Sequence, residues 1–433
     1  MLCDLMDYSY RRQAANKDRL ENLLETLLNG WPQLFACSRQ QTNLFGVCDL
    51  QMIELMTNMV MICPFPLHDI RHKVGPNYER WLAELIGSSR SEVSIEMKTK
   101  AIILLPTVLG PGGTAGTESY WESFETALDT LQTLHFPLRS TEFLPNSPKR
   151  IGFLNCLERL LEAMIVSRSP LLLKVIIQMT APDGEGHIAE AKIRNAIERF
   201  FADQPFEMQC DRLQELWDLF ANHAYAPTVR ETILRRYLCT ALWHCRYDTI
   251  VEFYKRIIRS ISSFTTEDIS GRSGWDLEHA LVDLAASFRL VEHYAALLPK
   301  KILTGDNCPV AKQLYSTPKD EGVPVRGQRL IGDFSKRAHS VRRAVLLSND
   351  RSAVELFRKY QCAAYRALVA LISNTNEDAR MYSVLLFRET REKGEFLWRH
   401  LVDCSNDELY LEGSQEQDET TRTVAKRVAI RQE

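Results

Sequence analysis

The sequence predicts an all-α chain built of helix pairs. Three observations carry this: apolar residues recur at three- and four-residue steps in segment after segment, no stretch alternates strictly as a half-buried strand does, and Pro or Gly breaks come at intervals of roughly 35 to 50 residues. That interval belongs to a HEAT/armadillo-like helical-repeat solenoid, in which a helix pair has apolar surface on both sides and so stacks on its neighbours. A chain of 433 residues is too long for one compact core. The expected organisation is N-terminal helical repeats over 1–110, central repeats over 117–315, a loop with a basic cluster over 316–349, a C-terminal helical pair over 350–404 and a flexible polar tail over 405–433.

Each element has its own warrant. Leu20, Leu23, Leu24, Leu27 and Leu28 form one stripe that Gly30 ends, and a Met-rich apolar run from Leu50 to Ile62 stops at Pro64 and Pro66. Pro76 opens a short helix bearing Trp81, Leu82, Leu85 and Ile86, and another runs from Glu92 until Pro106 interrupts it. Thr117 caps a helix with Trp121, Phe124, Leu128 and Leu131 inward. After the break at Leu144 to Pro148, helices are expected over Ile151–Ile165, from Ser169-Pro170 through Ile176, over Ile188–Phe201 and over Glu207–Ala221. Thr228 to Ile261 then reads as an αα-hairpin. Val229, Ile233, Tyr237, Leu238, Ala241 and Leu242 share one face, Ile250 to Ile261 repeat the pattern, Asp248 is placed as a cap, and Cys245-Arg246-Tyr247 is the turn. Helices follow over Trp275–Leu298 and Lys312–Tyr315, a Gly/Pro-containing loop over Thr317–Gly332, and long helices over Ser352–Ser373 and Ala379–Asp403. The polar tail keeps only a weak helical pattern at Val424, Val428 and Ile430.

Composition narrows the function classes. A formal net charge of -3 gives no global attraction to a polyanion or an acidic membrane, so such binding would have to come from a local patch. Eleven cysteines without C-x-x-C spacing, many inside apolar runs, read as reduced thiols of a soluble intracellular protein. The N-terminal MLCDLMDYSYRR carries charges where a secretory peptide needs an apolar run, and no membrane partner is expected.

Few residues carry chemistry. Gly110 to Gly116 is glycine-dense, as phosphate-binding loops are, but no Gly-Lys-Ser/Thr follows it and a connector is the expectation. Cys239, His244 and Cys245 are zinc-type ligands, yet Cys239 and His244 lie five apart, on different sides of a helix, so packed core thiols are expected. Cys362, Ala363 and Ala364 point to close helix packing. Gly332-Asp333-Phe334-Ser335 imitates a kinase metal motif without a catalytic loop before it. No paired acid and base, nucleophile, cofactor or small-molecule substrate is expected. Arg326, Arg329, Lys336, Arg337, Arg342 and Arg343 crowd one interval containing a single acid, Asp333. They read first as a solvated loop face, and otherwise as a nucleic-acid contact or nuclear-import signal.

Two stretches resemble a known family. Arg236-Tyr237-Leu238-Cys239-Thr240-Ala241-Leu242-Trp243-His244-Cys245 with Glu252-Phe253, and Tyr360-Gln361-Cys362-Ala363-Ala364-Tyr365 with Leu368 to Ile372, are similar to the central region of the catalytic subunits of DNA-dependent protein kinases. These subunits belong to the phosphatidylinositol 3-kinase-related kinases. Tyr382 to Phe387, and Phe143-Leu144-Pro145 leading into Phe153 to Cys156 and Ser167 to Pro170, agree in order. The resemblance covers about Trp121 to Asp403. It implies a helical-repeat cradle segment of a longer nuclear serine/threonine kinase, a fragment in its own right. The Ku heterodimer, DNA ends and the remainder of the kinase chain are its implied partners, and non-homologous end joining its implied setting. Because kinases of this family favour Ser-Gln, Ser414 becomes a candidate phosphorylation site by implication. The alternative is a free-standing helical-repeat adaptor for transport or trafficking.

Overall fold

The computed structural model describes residue 26, residues 136–387 apart from 137, 169, 185, 203, 317–323, 347, 349 and 377, and the segments Leu409–Leu411 and Lys426–Val428. Thr26 is helical, in keeping with the Leu20 to Leu28 stripe. The other helices expected before residue 136, the glycine-dense 110–116, residues 388–403 and Ser414 lie outside the described residues. The described chain is all-α apart from one short ladder, and it divides into two compact units, Met1–Arg246 and Tyr247–Glu433. The division falls in the turn expected between the two helices of the hairpin, so those helices belong to different units.

From residue 136 onward the described helices of the first unit are α1 (Pro148–Ser167), α2 (Pro170–Thr180), α3 (Glu190–Ala202), α4 (Phe206–Ala221), α5 (Pro227–Thr232) and α6 (Cys239–Trp243). The start of α1 shows why the sequence breaks there. Ser147 Oγ accepts from the Arg150 amide at 3.2 Å, and Pro148 occupies the position where no amide partner is needed. Its end is set by Arg168, which adopts the left-handed conformation and reaches with Nη1 to the Arg199 carbonyl at 2.6 Å. α1 packs on α2 and α3 through Leu157, Leu160, Met164, Ile176, Ile193 and Ile197, all buried. Between α5 and α6 the helix widens into a π turn over Ile233–Leu238, which the apolar spacing alone does not announce.

The second unit contains α7 (Tyr247–Phe264), α8 (Gly274–Leu297), α9 (Lys300–Thr304), α10 (Pro309–Tyr315), α11 (Gly327–Val341), α12 (Arg351–Thr375) and α13 (Ala379–Tyr382), the last followed by a π turn over Ser383–Phe387. Asp248 sits inside the first turn of α7, where it favours the helix dipole rather than capping from outside. α8 is buried almost all round, with His279, Asp283, Ser287, Glu292 and His293 among the apolar side chains that it buries. It lies alongside α12 in the same direction, with Phe288 against Tyr360 (5.9 Å between ring centroids) and, one turn on, Glu292 bonded to Arg366 Nε at 3.0 Å. Cys362, Ala363 and Ala364 are buried in this helix. α7 and α11 meet where Arg337 Nη1 donates to Ser262 Oγ at 2.9 Å and to Thr265 Oγ1 at 2.8 Å.

The seam of α8 with α12 is the broadest in this unit, whereas α7 packs mainly on α8 and α10 and meets α11 near its C-terminal end through Arg337. Helices that cover one another from far along the chain bury the apolar faces that no single helix could bury alone.

Two sequence expectations change. The interval read as loop with a basic cluster over 316–349 is instead helix over Gly327–Val341, because Leu330, Ile331, Phe334, Ala338 and Val341 form a buried three-four stripe that the neighbouring Gly, Pro and Arg residues obscure. Gly327 is where the chain turns onto α9: its amide donates to the Gly305 carbonyl at 2.9 Å, and a Cβ there would lie 2.0 Å from the Leu303 carbonyl oxygen. In the tail, the pattern read as weakly helical is instead strand at Lys426–Val428, which pairs antiparallel with Leu409–Leu411 in the register Leu409 to Val428. Leu-Tyr-Leu and a β-branched Val suit a pleated pair better than three isolated apolar residues suit a helix.

Candidate functional site

The six cations singled out in the sequence all lie on α11 or its flanks, and the structure sorts them by what they touch. Arg337 is half-buried and holds α7, as above. Arg326 pairs with Asp306 at 2.9 Å, both well exposed, a contact of little energetic weight. The Arg329 guanidinium lies 4.1 Å above the Tyr315 ring, whose hydroxyl donates to Asp333 Oδ2 at 2.6 Å. Burial and the Asp333 carboxylate push the Tyr315 hydroxyl above its ordinary range. Lys336 and Arg343 are exposed and Arg342 is half-buried. Partial burial, Arg342 and Arg343 together hold His339 below the usual imidazole value. The single acid of the interval is therefore engaged by a phenol, while Arg329, Lys336 and Arg343 follow one another at seven-residue steps.

The kinase-like tetrapeptide is interior helix. Phe334 is buried in the stripe of α11 and Asp333 is bonded to Tyr315, so neither lies in a metal-binding loop. Cys239 and Cys245 are buried, and His244 Nδ1 stands 3.8 Å from Glu198 Oε1. No group of three ligand-type residues gathers among the described residues, and no helix among them is long and apolar enough to cross a membrane.

The first unit carries a polar centre that sequence reasoning missed. Arg236, in the π turn, is buried and donates to Glu190 Oε2 at 2.6 Å, to the Thr180 carbonyl at 2.9 Å and to the Gly184 carbonyl. Beside it the buried Tyr237 hydroxyl bonds Thr180 Oγ1, and burial raises its pKa to about 12. The Ser140 amide donates to Asp183 Oδ2 at 3.0 Å, and His187 Nε2 faces the same oxygen at 3.3 Å. His187 Nδ1 accepts from the Ala189 amide, which places its proton on Nε2. Burial lowers its pKa to about 4 against the opposing pull of Asp183, with Arg236 adding to the lowering. Arg230, also fully buried, donates to the Phe220 carbonyl at 2.7 Å and lies 4.8 Å over the Phe220 ring. These groups hold backbone carbonyls and one another. No apolar spacing signals this centre, since Ile233 to Tyr237 keeps the four-residue step of an α-helix.

Fold and side chains thus define an all-α segment of helical-repeat type whose polar centres hold structure. The model of the family described as DNA-dependent protein kinase catalytic subunit, CC1/2, matches residues 1–173, and that of the same protein's CC3 region matches residues 230–433. Among curated proteins, the DNA-dependent protein kinase catalytic subunit of Mus musculus is 23% identical over 93% of this chain and 9% of its own length. Its Xenopus laevis counterpart is 21% identical over 94% of the chain and 9% of its own length. For that of Dictyostelium discoideum the figures are 22%, 81% and 8%. The chain belongs to the DNA-dependent protein kinase catalytic subunit family. It spans about 9% of the length of the curated relatives it matches.

Proposed function

We propose that this chain is a non-catalytic helical-repeat scaffold segment of a DNA-dependent protein kinase catalytic subunit-like protein, acting in the nucleus in double-strand break repair by non-homologous end joining. The observation that carries the reading is the long seam of α8 along α12, a helix-on-helix surface suited to positioning other parts of a large assembly. The family matches at either end of the chain supply the setting. On this reading its partners are the remainder of the kinase chain, the Ku heterodimer and DNA ends, and its own residues perform no chemical step. Ser414 is the modification site that the setting suggests.

The test is to disrupt the stack in the full-length protein by Phe288→Ala with Glu292→Ala and to score joining of cleaved plasmid ends in cells. The expected result is a joining defect at normal protein abundance, with phosphorylation of a DNA-independent peptide substrate retained. Unchanged joining, or a protein confined to the cytoplasm, would overturn the reading.

A further inference from the structure

We propose that Thr265, just beyond the C-terminal end of α7, is a phosphorylation site for an acid-directed protein kinase, and that Arg337 of α11 is the cation that receives the phosphate. The guanidinium is half-buried, yet its partners among the described residues are all neutral. Nη1 donates to the Ser262 carbonyl at 3.1 Å, to Ser262 Oγ at 2.9 Å and to Thr265 Oγ1 at 2.8 Å, and the Phe334 ring lies 5.7 Å away. The single acid of α11, Asp333, is engaged by the Tyr315 hydroxyl. A partly desolvated cation with only uncharged partners gains most from an anion placed at a hydroxyl it already touches. A phosphate esterified to Thr265 brings three strong acceptor oxygens to that place, and Arg337 Nε and Nη2, which hold no hydrogen bond among the described residues, are left to meet them.

The local sequence chooses between the two hydroxyls. Thr265 is followed at the second and third positions by Glu267 and Asp268, the carboxylates an acid-directed kinase reads, whereas Ser262 is followed by Ser263, Phe264 and Thr265. α7 ends at Phe264, and Thr266, Asp268 and Ser270 are exposed in the irregular segment beyond it. Glu267 pairs with Arg272 at 2.7 Å and Asp268 Oδ1 accepts from the Ser270 amide at 2.9 Å, so neither acid occupies Arg337 before the phosphate arrives. The step transfers the γ-phosphoryl group of ATP. A bond forms between Thr265 Oγ1 and phosphorus, the bond from phosphorus to the oxygen of the departing ADP breaks, and the hydroxyl proton passes to the kinase's catalytic aspartate. The product fastens α7 to α11 by a charge-assisted pair where a neutral hydroxyl stood. This site goes beyond the scaffold reading, and its failure would leave that reading standing.

The whole native chain is incubated with casein kinase II and ATP, and the modified residue is located by mass spectrometry. Thr265 is the expected acceptor, and Glu267→Gln with Asp268→Asn should lower its modification about tenfold. In the phosphorylated chain, phosphorus NMR should place the second ionisation of the phosphate about one pH unit below its ordinary value of about 6. Arg337→Gln should return it to that value, while Arg337→Lys keeps it low. The mapping uses the unaltered chain, so it decides even if Arg337→Gln fails to fold. Three results would each overturn the proposal: no phosphate on Thr265, whether or not Ser263 or Thr266 carries one; equal modification of the acid-depleted variant; or a phosphate whose ionisation is the same with and without the Arg337 cation.

Discussion

The two units are held by different means. The first gathers its irregular pieces, the Ala181–Asp183 turn, the start of α3 and a π turn, around the guanidinium of Arg236, which answers three acceptors on three segments. The second is built on the seam of α8 with α12, whose contacts are apolar apart from a few polar pins such as Glu292 with Arg366. Where backbone carbonyls are stranded at irregular turns, one buried cation can satisfy several at once. Where helices are regular their carbonyls are already bonded, and ring and methyl packing can carry the interface.

The comparison can be broken at several points. Phe288→Ala in the second unit, which removes a fully buried ring from the α8 and α12 seam, should cost about 4 kcal/mol in urea unfolding. A loss below about 1 kcal/mol would show that the seam is not the unit's main support. Arg236→Met in the first unit should cost about 3 kcal/mol, since Glu190 and two carbonyls lose their donor together. A benign Arg236→Met would mean that the apolar core alone orders the π turn.

His187 sharpens the contrast through pH. Its pKa is near 4 in the folded chain and 6.5 unfolded, so the unfolded state binds the extra proton in between. Stability is therefore complete above about pH 6.5, falls as pH drops toward 4, and is flat below. His187→Gln should flatten that part of the unfolding midpoint's dependence on pH, and an unchanged profile would assign the dependence to other groups.

At the smaller end, Glu292→Leu with Arg366→Met should leave stability within about 1 kcal/mol, or raise it, because a buried pair gains little over apolar isosteres. Arg326→Ala should leave the melting temperature unchanged, as its ion pair with Asp306 is fully in solvent contact. A marked drop there would assign Arg326 a packing role that its exposure denies.

Much of the second unit was legible in sequence. Gly274–Leu297 and Arg351–Thr375 were expected within a residue or two, since long apolar periodicity is the strongest signal a helix gives. α11 as a whole was hidden by glycine, proline and arginine, and three-residue strands fall below what periodicity can register. Among the described residues of the first unit the longer helices were legible and the polar centre was not. A buried arginine has the same letter as a solvated one, and which carbonyls need it depends on turns that sequence places only roughly. The cation cluster was plain as composition. That Arg337 serves packing while Lys336 faces outward follows from the phase of the buried stripe.

The π turn at Ile233–Leu238 has a consequence for how this chain can vary. Such a turn accommodates one residue more than the α-helix around it, so deleting a single residue there would close an ordinary ladder and keep Cys239, Ala241 and Leu242 near their present phase toward the core. What the shorter helix would lose is the position from which Arg236 reaches Glu190 and the Thr180 and Gly184 carbonyls. The added residue thus serves the polar centre more than the packing of the helix that follows.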